Sequence, residues 1–140
     1  MFVFDQRRNA IPRLDGLTYE GQPLDLAKGI VTPRCTEQDS ADCATRDLGV
    51  TFDDAVSEVD PDITTSTGAA QRETLYVDWF TSVGKLRQDR KILFDGQYGR
   101  PPKLAAELEP PGAPARGTVW AVFHDNRGGT SWAAFPIEVQ

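Results

Sequence analysis

Strict alternation of apolar and polar residues dominates the second half of the chain. In "ETLYVDWFTS" (73–82), Leu75, Val77 and Trp79 fall on one face, and Tyr76, Asp78 and Phe80 on the other. "GTVWAVFHD" (117–125) sets Val119, Ala121 and Phe123 against Trp120, Val122 and His124, and "TSWAAFPIEV" (130–139) aligns Phe135, Ile137 and Val139. A period of two is the signature of a half-buried β-strand. "RKILFD" (90–95) reads as a shorter strand. Between the two longest runs lies "DNRGG" (125–129), where Asp, Asn and two Gly residues accept the backbone angles of a tight turn, so the pair reads as a hairpin with Asp125 bonding turn amides. Pro136 removes one donor, which places the last strand at an edge or marks a bulge.

The first half is less regular. "NAIPRLDGLTYEGQPLDL" (9–26) predicts a short strand with turns at Asp15-Gly16 and Glu20-Gly21, and "GIVTPRC" (29–35) another short strand. Residues 36–72 are acidic and polar. They hold one predicted strand, "DLGVTF" (47–52), and then "DDAVSEVDPDITTSTGAAQRE" (53–73), which reads as an insertion or long loop. Helical spacing is scarce; "PKLAAELEP" (102–110) is the best candidate and is stopped by Pro110-Pro111. The surrounding 95–117 segment is rich in Pro and Gly and reads as a second long connection. Short strands, turn punctuation and long connections predict an all-β fold. The expected form is an immunoglobulin-like Greek-key β-sandwich over residues 1–140, with long loop insertions, little helix and a core centred on Trp79.

Composition adds limits. A chain of 140 residues, 39 % hydrophobic and 26 % charged, suits one globular domain rather than a disordered one. The net charge of −6, with no Lys/Arg-rich stretch, argues against nucleic-acid binding. No apolar run approaches a membrane span. "MFVFDQRRNA" places its basic pair after its apolar residues, the reverse of a secretory signal, so either the protein is cytoplasmic or a signal has been removed. Cys35 and Cys43 bracket "CTEQDSADC"; with a single His in the chain they make a poor zinc pair, and a local disulfide is the better use. A disulfide favours an oxidising compartment, hence a secreted or envelope-anchored protein.

The aligned residues also resemble a known group. "GTVWAVFHDNRGGTSWAAFPIEV" is similar to the last two strands of bacterial immunoglobulin-like domains of the PKD-like kind. "LYVDWFTSVGKL" resembles their third strand, with Trp79 at the buried core tryptophan, and "NAIPRLDGLTYEGQPL" resembles their first. The set resembles predicted envelope lipoproteins of the myxobacterial type over residues 9–35 and 73–140; residues 36–72 lie outside it, and the inter-sheet disulfide of antibody domains is absent. The resemblance implies a binding or structural module of the cell envelope whose lipidated Cys would lie upstream.

Candidate chemistry is thin. His124 and Asp125 are neighbours on a strand and point to opposite faces, so they make no natural acid–base couple, and no nucleophile motif accompanies them. Asp53, Asp54, Glu58, Asp60 and Asp62 are the weak calcium candidates, but their spacing matches no EF-hand and a solvated acidic loop is the simpler reading. Asp89-Arg90-Lys91 and Asn126-Arg127 read as turn and surface charge. No cofactor is implied. The most informative feature is the face opposite the core, where Tyr76, Phe80, Trp120, Val122, Trp132 and Ala134 all point outward, unless the 95–117 segment folds over them. The expectation is therefore a non-enzymatic module acting through protein contacts or self-assembly. The alternative is a carbohydrate-binding module that stacks sugars on Tyr76, Trp120 or Trp132.

Overall fold

The computed structural model describes residues 9–64 and 66–140, except for the side chain of Asp62. The strands, in chain order, are β1 (Gly16–Tyr19), β2 (Gln22–Pro23), β3 (Ile30–Thr32), β4 (Arg46–Thr51), β5 (Val59–Thr64), β6 (Ala70–Arg72), β7 (Leu75–Thr81), β8 (Lys85–Arg87), β9 (Arg90–Phe94), β10 (Ala106–Glu109), β11 (Ala115–Asp125) and β12 (Thr130–Val139). Helix is confined, among the described residues, to short 3-10 turns such as Ser40–Asp42 and Asp54–Val56.

Two five-stranded sheets face each other, with orders β2-β1-β4-β10-β8 and β3-β12-β11-β7-β9; β5 and β6 form a separate two-stranded ribbon. Lettered in chain order, β1, β4, β7, β8, β10, β11 and β12 become A to G. One sheet then contains A-B-E-D and the other C-F-G, the Greek-key arrangement of an immunoglobulin-like sandwich. The additions are β2, β9 and β3 at sheet edges, β3 running parallel to β12, and the β5–β6 ribbon between B and C.

The alternation read from the sequence is what closes this sandwich. Leu75, Val77, Trp79, Val119, Ala121, Phe123, Ile137 and Val139 are buried together with Leu17, Leu48, Val50, Phe52 and Leu108 from the facing sheet, in one contiguous core. Phe52 and Phe123 meet across the gap with ring centroids 5.8 Å apart. The first hairpin turns at Glu20-Gly21, both with positive φ (50° and 75°), the geometry of a two-residue turn between paired Tyr19 and Gln22.

Asp125 pins the second hairpin. Its N–H donates to Gly129 O at 3.1 Å, and its Oδ1 accepts from the amides of Arg127 at 2.8 Å and Gly129 at 2.7 Å. Ladder pairs alternate, so this bond makes the odd-numbered residues of β11 and β12 the hydrogen-bonded pairs. Pro136 is even-numbered. Its missing N–H therefore faces away from β11, toward a side that β3 covers only from Ile137 onward, so the proline sits on an edge portion of the strand.

Several expectations are corrected. Residues 102–110 are not a helix: Ala106–Glu109 form β10, paired with β4 on one side and β8 on the other. The (i, i+2) burial of Ala106 and Leu108 in the core outweighs the helix propensity of a run this short, caught between prolines. The 95–117 segment thus contributes a strand to the opposite sheet instead of covering the aromatic face. Asp15-Gly16 is not a turn: Gly16 opens β1, and Asp15 N already bonds Thr51 O at 2.7 Å. Residues 53–73, read as an insertion or long loop, carry the Asp54–Val56 turn and the β5–β6 ribbon outside the two main sheets.

Trp79 fills the centre of the core, and its Nε1 has no partner among the described residues. Trp79→Ala is expected to lower unfolding stability in urea by about 3–5 kcal/mol, whereas Trp79→Phe, which also removes an unsatisfied buried donor, should cost no more than about 1–2 kcal/mol.

Candidate functional site

The outer face of the β3-β12-β11-β7-β9 sheet carries the candidate binding residues, and the pairing registers order them into rows. Ile92, Tyr76, His124 and Thr130 form one row across β9, β7, β11 and β12. Arg90, Asp78, Val122 and Trp132 form the next, and Phe80, Trp120 and Ala134 the third. Side chains in such rows are cross-strand neighbours. Trp132 is 68 % exposed, Phe80 54 %, Ile92 46 % and Trp120 37 %, while Tyr76 and Val122 are half-buried. The five aromatic and aliphatic candidates therefore share one surface, with Trp132 the most open of them.

A polar cluster that the sequence did not disclose sits at one end of this face. Asp78 accepts two hydrogen bonds from Arg90, Nε to Oδ1 at 2.6 Å and Nη2 to Oδ2 at 2.8 Å. His124 Nε2 lies 3.2 Å from Asp78 Oδ2, and its Nδ1 lies 3.3 Å from Thr130 Oγ1. Tyr76 stacks on His124 with centroids 4.7 Å apart, and the Arg90 guanidinium lies 5.0 Å from the Tyr76 ring centroid. The Arg90 hydrogen bonds hold the Asp78 carboxyl below its ordinary pKa; partial burial opposes this, and the charges of Arg90 and then His124 reinforce it. His124 thus pairs with Asp78, diagonally placed on the neighbouring strand, and not with Asp125. The signal was present in the alternation, which put Asp78 and His124 on one face, but only the register makes them neighbours.

Asp125 belongs to a second, structural network at the hairpin end. Its Oδ2 accepts from Asn9 Nδ2 at 2.8 Å, and Asn126 Oδ1 accepts from Thr74 N at 3.2 Å. Arg127 donates from Nη1 to Glu73 Oε1 at 3.0 Å. Glu73 is buried, and desolvation raises its carboxyl pKa. Asp125 adds in the same direction, while the Glu58 amide and Arg127 counteract it.

The acidic candidates do not converge. Asp53 Oδ1 caps the Asp54–Val56 turn through Ala55 N at 2.8 Å. Asp54 pairs with Arg100 Nε at 2.6 Å. Glu58 Oε2 accepts from Ala10 N at 3.1 Å, and Asp60 is buried in the β5–β6 ribbon. The side chain of Asp62 lies outside the described residues. Among the described residues no group of three or more His, Cys, Asp or Glu is arranged to hold a metal ion. Cys35 and Cys43 are joined in a disulfide with Cα atoms 5.5 Å apart. No helix among the described residues is long and apolar enough to cross a membrane.

Comparison of the chain with known protein families, curated proteins and solved structures finds no match.

Two outcomes are expected. In single-tryptophan variants, acrylamide should quench Trp132 most, Trp120 at an intermediate level, and Trp79 least; equal quenching of Trp79 and Trp132 contradicts the register. Because the folded pKa of Asp78 lies below its unfolded value of about 3.9, its stabilising contribution is present above that pH and fades as pH falls through the folded pKa. Asp78→Asn should therefore be less stable than the parent protein at neutral pH, with the difference shrinking below about pH 4 in urea titrations.

Proposed function

We propose that this protein is a non-enzymatic binding or structural module, extracytoplasmic and part of an envelope lipoprotein or surface assembly, which docks a protein partner or another copy through the outer face of the β12-β11-β7 sheet. The observation that carries this reading is the contiguous patch of Trp132, Phe80 and Trp120 exposed on one face. Exposed aromatic clusters of this kind anchor protein interfaces, where Trp contributes most per residue. The Cys35–Cys43 disulfide agrees with an oxidising compartment, and the PKD-like resemblance supplies the envelope setting.

The patch chemistry favours a protein over a sugar. The cross-strand neighbours of Trp132 and Trp120 on this face are Val122, Ala134 and Phe80, all apolar. A sugar ring needs hydrogen-bonding groups beside its stacking platform, and the nearest carboxylate in the rows, Asp78, already serves Arg90 and His124. Catalysis is the weaker reading on similar grounds. The order Thr130, His124, Asp78 is that of a nucleophile relay, but Arg90 hydrogen-bonds both oxygens of the Asp78 carboxylate and balances its charge, which weakens its hold on His124. The nearby turn amides of Arg127 and Gly129 are already taken by the Asp125 carboxylate.

A photo-reactive amino acid placed at Phe80 or Trp132 should cross-link to protein in the producing cell, whereas one at Lys28, on an exposed turn, should not. Yields at positions 80 and 132 no higher than at 28 contradict the proposal. Adducts that a glycosidase removes assign the face to carbohydrate instead.

A further inference from the structure

We propose a second docking site, adjoining the aromatic patch at Arg90 and Ile92: a groove at the edge of β9 that accepts an extended, acidic peptide segment of a partner protein. Among the described residues, β9 is the last strand of its sheet, paired with β7 on one side only. Trp79 N bonds Asp89 O at 2.7 Å, and the antiparallel register then makes Val77 and Lys91 the next hydrogen-bonded pair. The backbone groups of Arg90 and Ile92 consequently face away from β7, toward the open edge. An edge of this kind is a template for one more strand.

Across from that edge runs the segment Tyr98–Lys103, which is tied to the residue just past β9 by the antiparallel Asp95–Gly99 bridge and then diverges from the strand, leaving an open groove of about 480 Å³. Its lining contains four cations, Arg90, Lys91, Arg100 and Lys103, against one carboxylate, Asp95. The lining is thus locally rich in cationic donors in a chain whose net charge is −6, although the carboxylates behind it balance them. The Asp95 carboxylate is turned to its own loop, accepting from Gln97 N at 2.8 Å and Tyr98 N at 2.9 Å. The lining cations have partners outside the cavity: Asp78 for Arg90, Asp54 for Arg100 and Glu107 for Lys103. Each pair leaves further donors. Arg90 uses Nε and Nη2 on Asp78, and Arg100 uses Nε on Asp54 and Nη2 on the Phe52 carbonyl, so one Nη1 of each guanidinium stays outside these bonds. Lysine carries three donors, of which Lys103 gives one to Glu107 and Lys91 one to Gln88. Tyr98, 82 % exposed, and Ile92 supply apolar contact beside the charges. A strand edge, a cationic lining and an exposed ring fit an extended segment that alternates carboxylates with small or β-branched residues.

The probe is a fluorescein-labelled ten-residue peptide alternating Glu and Thr, titrated by anisotropy against the full chain. Saturable binding is expected, weakened about tenfold between about 50 and 300 mM salt, and absent for the peptide with Lys in place of Glu. Lys91→Glu combined with Lys103→Glu should weaken binding at least about tenfold, with circular dichroism confirming the fold. Amide shifts on binding should centre on Arg90, Ile92 and Tyr98–Lys103. No saturable binding, equal binding of the Lys peptide, or shifts centred elsewhere overturns the site. Trp132→Ala separates the two proposals: it should leave peptide binding unchanged. If it abolishes binding while the lysine reversals do not, the peptide sits on the aromatic face and the β9 groove is refuted.

Discussion

The register of β7 against β11 against β12 is the constraint on which the rest of the molecule depends. Each strand places successive side chains on opposite faces, so one pairing decides at once which residues build the core and which reach the surface. A slip of one residue between β11 and its neighbours would exchange Phe123 for His124 and Val119 for Trp120. The slip is resisted at the hairpin end, where the Asp125 carboxylate takes two amides of its own turn, and a Cβ on Gly129 would collide with that carboxylate. The same register sets the outer rows, so the core packing of Trp79 and the exposure of Trp132 have one cause.

The hairpin end also ties distant parts of the chain together. Asn9 bonds Asp125, Thr74 bonds Asn126, and the buried Glu73 receives Arg127. Burying a carboxylate costs free energy unless it is paired and hydrogen-bonded, and Glu73 has both compensations through Arg127 and the Glu58 amide. Desolvation still outweighs these partners in setting its carboxyl pKa, which is raised. The network ties the segment leading into β7, the strand of the core tryptophan, to the turn that fixes the register.

On the surface the two proposed sites differ in kind. The aromatic face is a broad sheet surface whose attraction is apolar area, suited to a stable interface. The β9 groove is a sheet edge with charge, suited to a linear segment whose binding varies with salt. They adjoin at Arg90 and Ile92, which border both, and Arg90 bound to Asp78 separates the apolar rows from the cationic cavity.

Much of this was legible in the chain. The alternation in 75–80, 119–124 and 130–139 identified the strands of the C-F-G sheet, their inward residues and the outward aromatics, because a period of two is a local property. The "DNRGG" turn and the short-range disulfide were readable for the same reason. The sequence could not show that Ala106–Glu109 is a strand: its partners β4 and β8 are far away in the chain, and pairing with them overrides a local helix preference. Nor could it show that His124 meets Asp78, that Glu73 is buried on Arg127, or that β9 is left as an open edge beside Tyr98–Lys103. Local pattern by itself determined which residues face in and which face out. Only the tertiary structure decided which residues meet, because contacts between strands depend on register and sheet order, and those are set by the packing of the whole sandwich.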